Sequence, residues 1–309
     1  MLSTINGATE VYLILGDPVE QVRAPESFNL IFATLGINAV LAPVNVPAAH
    51  VQDFVRAAFS ARNIKGLFLT IPHKSLVMDM LDHCSELGRL AGAVNAVRCD
   101  AQGRLVGELF DGEGLVESLN GFNIAYTGKR VLILGAGGGA AAIAASLVSP
   151  ASRVSKGAAA EVALYDPTQG KAQALAERLG AAGPVRIIAV DSNDPAGFDV
   201  VVNATPLGLY AADPLPCDVS RMAPDAALLD ILMKNQPTPV VRAARARGLV
   251  AQPGFEMMIR QAALYLEFFG ARQAADAVRR DATFIRQAIY PLELHGEISR
   301  LAVLPIPTL

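Results

Sequence analysis

Lys129-Arg130-Val131-Leu132-Ile133-Leu134-Gly135-Ala136-Gly137-Gly138-Gly139-Ala140 is an apolar run that ends in a cluster of glycines and passes into an alanine-rich stretch. The pattern predicts a buried strand over Arg130–Leu134, a tight turn, and a helix over 138–148. Gly135 permits the turn, and Gly137, Gly138 and Gly139 let backbone amides come close to a ligand. The start of the helix adds open N–H groups and the positive end of its dipole, a combination suited to a pyrophosphate. A merely flexible glycine turn is the simpler reading, but the strand before it and the helix after it supply the context that argues against it.

Working outward, further short apolar runs fall near 161–165, 186–190, 199–202 and 227–231, with helical stretches at 170–180 and 237–247. Alternating strands and helices with apolar strands predict a parallel sheet covered on both faces, a Rossmann dinucleotide-binding domain over 112–253. The second strand ends in Tyr165-Asp166-Pro167. An acidic residue there accepts hydrogen bonds from both adenosine ribose hydroxyls and repels a 2′-phosphate. Asp166 lies farther from the glycines than the usual ~20 residues, and the elaborated loop 149–160 accounts for the excess. The expected cofactor is therefore NAD, with NADP less favoured and Lys171 the nearby cation that could accept a phosphate. A plain turn aspartate before Pro167 is the alternative.

Upstream, strands are expected at Val11–Leu15, Ala39–Val44 and Gly66–Ile71, and helices at Ser27–Leu35, Ala48–Ser60 and 75–90. A hairpin joins Ala93–Cys99 to Leu105–Glu108, and a helix over 112–120 leads into the glycine strand. Helices 255–269 and 271–288 are expected to return and brace the first lobe, and the tail after about residue 289 reads as irregular. The expected fold is thus α/β with two lobes: an N-terminal substrate-binding lobe of 1–111 plus 254–309, and the doubly wound parallel-sheet domain.

Composition narrows the function. The chain has 309 residues, 52% hydrophobic and 18% charged, with a net charge of −3. That balance leaves no basic footprint for nucleic acid, and no apolar window approaches the roughly 18 residues of a membrane helix. A small-molecule substrate is expected, without nucleic acid or membrane, with monomer and homodimer both open. Three cysteines without a paired spacing and a start lacking a secretion signal read as cytoplasmic. Four scattered histidines give no metal-ligand spacing.

Five further segments carry chemistry: Leu69-Thr70-Ile71-Pro72-His73-Lys74, Ala91-Gly92-Ala93-Val94-Asn95-Ala96, Gly107-Glu108-Leu109-Phe110-Asp111-Gly112, Val202-Asn203-Ala204-Thr205-Pro206-Leu207-Gly208 and Gly254-Phe255-Glu256-Met257. Together, and in this order, they resemble the shikimate/quinate dehydrogenase family over roughly residues 11–288. The resemblance implies reversible hydride transfer between a secondary alcohol and a nicotinamide, with Lys74 and Asp111 as the catalytic pair. Oxidising an alcohol requires a base for the hydroxyl proton as hydride leaves carbon. A lysine serves as that proton acceptor or, in reduction, as a cation polarising the ketone. The resemblance also implies Thr70, Asn95 and Gln261 as hydrogen-bond partners of substrate hydroxyls, and places Asn203, Thr205 and Gly254 near the nucleotide. His73 reads as a turn histidine without a chemical role.

The departures from the family pattern concern specificity. Where the family has two serines that hold the substrate carboxylate, this chain has Val22 and Ala24, within Gly16-Asp17-Pro18-Val19-Glu20-Gln21-Val22-Arg23-Ala24-Pro25. Each lost hydrogen bond to a charged group forfeits roughly 1.5–3 kcal/mol. Losing two weakens carboxylate binding by about 10²–10⁴-fold, unless Gln21 or Arg23 substitutes. Phe68, Phe110 and Met233 replace a family asparagine, threonine and tyrosine, and Pro167 stands where the family has a basic residue for the 2′-phosphate. The expected substrate is a small cyclic polyhydroxy compound, shikimate- or quinate-like. The alternative is a catalytically silent dinucleotide-binding sensor.

Overall fold

The structure, a computed structural model, describes residues 5–180 and 183–302, apart from the side chains of 299, 300 and 302. Contacts divide the chain into two compact units, one reaching to Phe110 and resuming at Met258, the other Asp111–Met257. Asp111 and Gly254–Met257, expected with the first lobe, therefore group with the second. The reason is local packing. A side chain at Gly112 would stand 1.9 Å from the Ala142 carbonyl oxygen, and one at Gly254 would stand 2.7 Å from that of Asp230.

The first unit is built on a six-stranded mixed sheet. Its strands are β1 (Glu10–Gly16), β2 (Ala39–Asn45), β3 (Ile64–Leu69), β4 (His83–Cys84), β5 (Ala96–Cys99) and β6 (Leu105–Glu108), in the order β2-β1-β3-β5-β6-β4. β1 pairs in parallel with β2 and β3, while β5 runs antiparallel to β3 and β6. Alternation along β1 sends Leu13 and Leu15 to one face, with Val51, Val55, Leu67 and Val97. Tyr12 goes to the other face, where its ring meets Phe32 and Phe269.

Helices α1 (Ala24–Thr34), α2 (Val51–Ala58), α3 (His73–Leu76) and α4 (Glu86–Ala91) surround this sheet. The expected single helix over 75–90 is broken. Asp82 pairs with Leu105 through its backbone amide (2.9 Å) and its carboxylate (2.7 Å), which pins β4 beside β6. Ser85 then caps α4, its hydroxyl oxygen accepting from the Gly88 amide at 3.2 Å.

The second unit carries α5 (Asp111–Gly121), β7 (Arg130–Leu134), α6 (Gly138–Val148), β8 (Glu161–Tyr165), α7 (Lys171–Leu179), β9 (Arg186–Ala189), β10 (Val200–Asn203), β11 (Ala227–Asp230), α8 (Pro239–Ala246) and β12 (Val250–Pro253). All six strands are parallel, in the order β12-β11-β10-β7-β8-β9. The strand order reverses at β7, the place where sheets of this kind take a ligand beyond the carboxyl ends of their strands. β12 is absent from the expectation because its four residues, bounded by Gly248 and Gly254, are too short for a periodic signal. As an edge strand it tolerates Pro253.

The chain then enters α9 (Phe255–Phe268), α10 (Arg272–Arg280), α11 (Thr283–Ile289) and α12 (His295–Ala302). Tyr265 and Phe269 of this segment pack on Phe68 and Tyr12 of the first sheet, the bracing the sequence predicts. The expected helix 271–288 is split at Asp281, whose carboxylate accepts from the Thr283 amide at 2.8 Å and starts a new helix. The tail is helical to residue 302, where an irregular path is expected; the rest of it lies outside the described residues. Among the described residues no helix is long and apolar enough to cross a membrane.

Gly112 offers a test of the α5–α6 packing. Gly112→Ala places a methyl group against the Ala142 carbonyl and 2.5 Å from the Ser146 hydroxyl. It is expected to destabilise the protein by about 3 kcal/mol and to lower the melting midpoint by roughly 6–12 °C. A shift below about 2 °C would show that these helices can part freely.

Candidate active site

In the first unit the site begins where β3 ends. The Thr70 amide donates to the Leu15 carbonyl (2.9 Å), and the Thr70 carbonyl accepts from the His73 amide (2.8 Å), which turns the chain into α3. Lys74 is the second residue of α3, half-buried, and its carbonyl accepts from the Val94 amide at 2.8 Å. That bond brings the lysine's backbone beside Asn95. His73 is fully buried. Burial holds its pKa below the usual value, with opposing contributions from the Val46 and Gly16 backbone and the Asp17 charge. It is a neutral core imidazole.

Asn95 ties four segments together. Its amide donates to the Glu108 carbonyl (2.9 Å), its carbonyl accepts from the Leu69 amide (2.8 Å) and the Tyr265 hydroxyl (3.2 Å), and its Oδ1 accepts from the Phe110 amide (2.9 Å). Its Nδ2 is buried without a partner, and so is Oε1 of Gln261 on α9. Leaving a buried polar atom unpaired costs about 1–3 kcal/mol, so each such atom calls for an explanation. A hydroxyl, which both donates and accepts, suits one of each.

Val22 and Ala24 lie half-buried at the start of α1. Both polar neighbours that could replace the family serines are committed elsewhere. Nε2 of Gln21 donates to the Pro18 carbonyl (2.9 Å). Arg23 forks onto Glu26 through Nε (3.0 Å) and Nη2 (2.7 Å), and its Nη1 donates to the Ile289 carbonyl (3.3 Å). Phe68 and Phe110 are buried against Tyr265, with ring centroids 4.3 Å apart at 15° and 4.9 Å apart at 65°. These two replacements thus form, with Tyr265, an aromatic cluster next to Asn95, one ring stacked and the other edge-on.

In the second unit Asp111 is the buried first residue of α5. Gly135 adopts φ +105°, and any side chain there would meet the Ala204 carbonyl at 2.8 Å. Gly137 precedes α6, Gly138 and Gly139 open it, and no side chain caps this helix end. A Cβ at Gly137 would meet nothing within 4 Å, whereas one at Gly139 would touch Ile231 at 3.0 Å. Bare amides facing open space at a helix N-terminus suit a pyrophosphate.

Asp166 reaches back into this turn, its carboxylate accepting from the Ala136 amide (2.9 Å) and the Thr168 amide (2.9 Å), with the Lys171 ammonium at 3.7 Å. Burial acts to raise its carboxyl pKa, but these amides, the Thr168 hydroxyl and Lys171 outweigh it and hold the group below the usual carboxylate range. Asn203 ends β10 and braces Thr205, whose amide and hydroxyl donate to Asn203 Oδ1 at 3.1 and 2.6 Å. The sequence reading missed Asp230, which ends β11 and joins Asn203 at 3.1 Å. Its signal is an acidic residue closing the apolar run Ala227–Leu229.

The shikimate dehydrogenase substrate binding domain matches residues 14–97. The shikimate dehydrogenase (NADP(+)) of Rubrobacter xylanophilus is 36% identical over 261 residues, 83% of this chain and 89% of that protein. The chain belongs to the shikimate dehydrogenase family. Solved structures agree on the fold. A 5-ketofructose reductase of Gluconobacter sp. strain CHM43 superposes with TM-score 0.75 at 25% identity, covering 87% of this chain and 99% of that one. A quinate dehydrogenase from Corynebacterium glutamicum in complex with NAD gives 0.74 at 26%, covering 87% and 98%. As a member of the shikimate dehydrogenase family the chain is an NAD(P)-dependent oxidoreductase of the CH–OH class, which favours the enzyme over the silent sensor. The expected ranking of NADP below NAD finds no support in the relatives' names, since NADP(+) is the dinucleotide they indicate.

Proposed function

We propose that this protein interconverts a secondary alcohol and a ketone on a small, polyhydroxylated, cyclic substrate whose anchored end carries no carboxylate. The observation that carries this reading is the pair of buried, unpartnered amide atoms, Asn95 Nδ2 and Gln261 Oε1, in the unit that also carries Thr70 and Lys74. They fit a donor and an acceptor for substrate hydroxyls. The half-buried Val22 and Ala24, with Gln21 and Arg23 committed to other partners, fit the uncharged end. A carboxylate there would lose hydration without compensation. The name of the structurally similar 5-ketofructose reductase is that of a ketose without a carboxylate.

In this reading Lys74 takes the hydroxyl proton on oxidation and returns it on reduction, with Asp111 as its partner in handling the proton. Thr70, Asn95 and Gln261 orient the ring so that one carbinol is presented. The nicotinamide, when bound, supplies the hydride acceptor or donor. Gly135, Gly137, Gly138 and Gly139 would hold its pyrophosphate, Asp166 the adenosine ribose, and Asn203, Thr205 and Gly254 the far end. The experiment is a panel of cyclitols, ketoses, shikimate and quinate offered with NAD or NADP, followed by absorbance of the reduced nicotinamide. Turnover of neutral polyols above shikimate supports the reading, and strict preference for the carboxylates overturns it.

The ionised Asp166 favours NAD over NADP, against the naming of the relatives. Asp166→Ala is expected to lower the NAD-to-NADP ratio of kcat/KM by roughly 10–100-fold, the equivalent of one or two charge-assisted hydrogen bonds. An unchanged ratio would show that this carboxylate does not read the ribose. The three free cysteines suit a reducing compartment such as the cytoplasm.

A further inference from the structure

Asp230 is wholly buried at the end of β11, and no step above uses it. Its Oδ1 accepts from Nδ2 of Asn203 (3.1 Å) and from the Leu232 amide (3.1 Å), and its Oδ2 accepts from the Thr238 hydroxyl. Burial raises its carboxyl pKa above the usual range, with Thr238, Leu232 and Asn203 opposing. A buried carboxylate is an expensive way to fill space, since it gives up hydration that an apolar residue never had. What it supplies is an oxygen, Oδ1, shared by two groups that can only donate, Asn203 Nδ2 and the Leu232 amide, so each is held in one orientation.

Those partners belong to two loops. Asn203 also donates to the Leu207 carbonyl (3.1 Å), and through Thr205 it orders residues 203–208. Thr238 and Leu232 belong to residues 231–238, where Asn235 donates to the Gly208 carbonyl at 2.9 Å. Both loops sit at the carboxyl ends of β10 and β11. Asp166, proposed to read the adenosine ribose, follows the end of β8, on the opposite side of β7. A dinucleotide laid across the reversal at β7 puts its second half over β10 and β11.

We propose that Asp230 is a positioning residue that sets loops 203–208 and 231–238 to receive the nicotinamide half of the dinucleotide. It acts through Asn203 and Thr238. The inference rests on the reading of this unit as the dinucleotide domain.

The full chain tests it through Asp230→Asn, Thr238→Val and Thr238→Ser. NAD(P)H affinity is read by nicotinamide fluorescence, and affinity for adenosine 5′-monophosphate by calorimetry. The expected result is about tenfold weaker NAD(P)H binding in the first two variants, the loss of one charge-assisted hydrogen bond. Thr238→Ser is expected to recover wild-type affinity, and all three variants are expected to bind the monophosphate as wild type does. If Asp230→Asn does not fold, Thr238→Val, which keeps the carboxylate, decides. Unchanged NAD(P)H affinity, or equal loss of both ligands, overturns the positioning role. A wild-type chain that binds neither ligand overturns the dinucleotide reading itself.

Discussion

Lys74→Ala is expected to lower kcat by about 10³-fold, within the roughly 10²–10⁴-fold that a positioned proton-transfer group contributes, while dinucleotide affinity stays near wild type. The fold gives little reason for a structural failure. The first turn of α3 is anchored by the buried His73, the buried Val77 and the backbone bond from Val94, none of which uses the lysine side chain. A second variant separates the two ways a lysine can act. Lys74→Arg keeps the positive charge, but a guanidinium does not give up its proton. If Lys74 moves the proton, the arginine variant is as slow as the alanine one; if it only polarises the ketone, much of the rate survives. Turnover unchanged in Lys74→Ala removes the lysine from the mechanism.

The central strands of the second sheet were legible because burial on both faces writes them as unbroken apolar runs. Arg130–Leu134 and Glu161–Tyr165 carry that pattern with no polar interruption inside. The parallel sense of the second sheet followed from alternation with helices, since a helix between two strands returns the chain to run in the same direction. Expectation failed where a tertiary bond decided the backbone. The break between α3 and α4 depends on Asp82 reaching Leu105, which is 23 residues away. The break between α10 and α11 is local instead, a turn in which the Asp281 carboxylate accepts from the Thr283 amide two residues on. Neither leaves a periodic trace.

The site divides in the same way. Glycines and strand-end acids announced themselves, because their chemistry is tied to a local junction of strand and helix. Phe68 and Phe110 read as lost polar contacts, and only the structure shows that Phe68 stacks on Tyr265 and Phe110 meets it edge-on, while the Tyr265 hydroxyl holds the Asn95 backbone. Asp230 stayed hidden because its partners Asn203 and Thr238 come from separate loops. An isolated aspartate at a strand end has many simpler explanations. The sequence left Gln21 and Arg23 open as substitute anchors, and the contacts that engage both are with Pro18, Glu26 and Ile289.

That last point sets the expectation for Val22→Ser/Ala24→Ser. Restoring two hydroxyls is expected to raise kcat/KM for shikimate or quinate by about 10²–10⁴-fold, from two hydrogen bonds to a charged group at roughly 1.5–3 kcal/mol each. Ala24 is the first residue of α1, an eleven-residue helix, so an anion there also gains from the positive helix end. Neither replaced side chain is fully buried, so the double variant should fold. Turnover of neutral polyols should change little, because Thr70, Asn95 and Gln261 are untouched. The contrast between substrates is therefore the informative quantity, and a general loss of stability would depress both together. A double variant that gains nothing on carboxylates would mean that residues 22 and 24 do not face the substrate, and the uncharged end assigned to them would have to lie elsewhere.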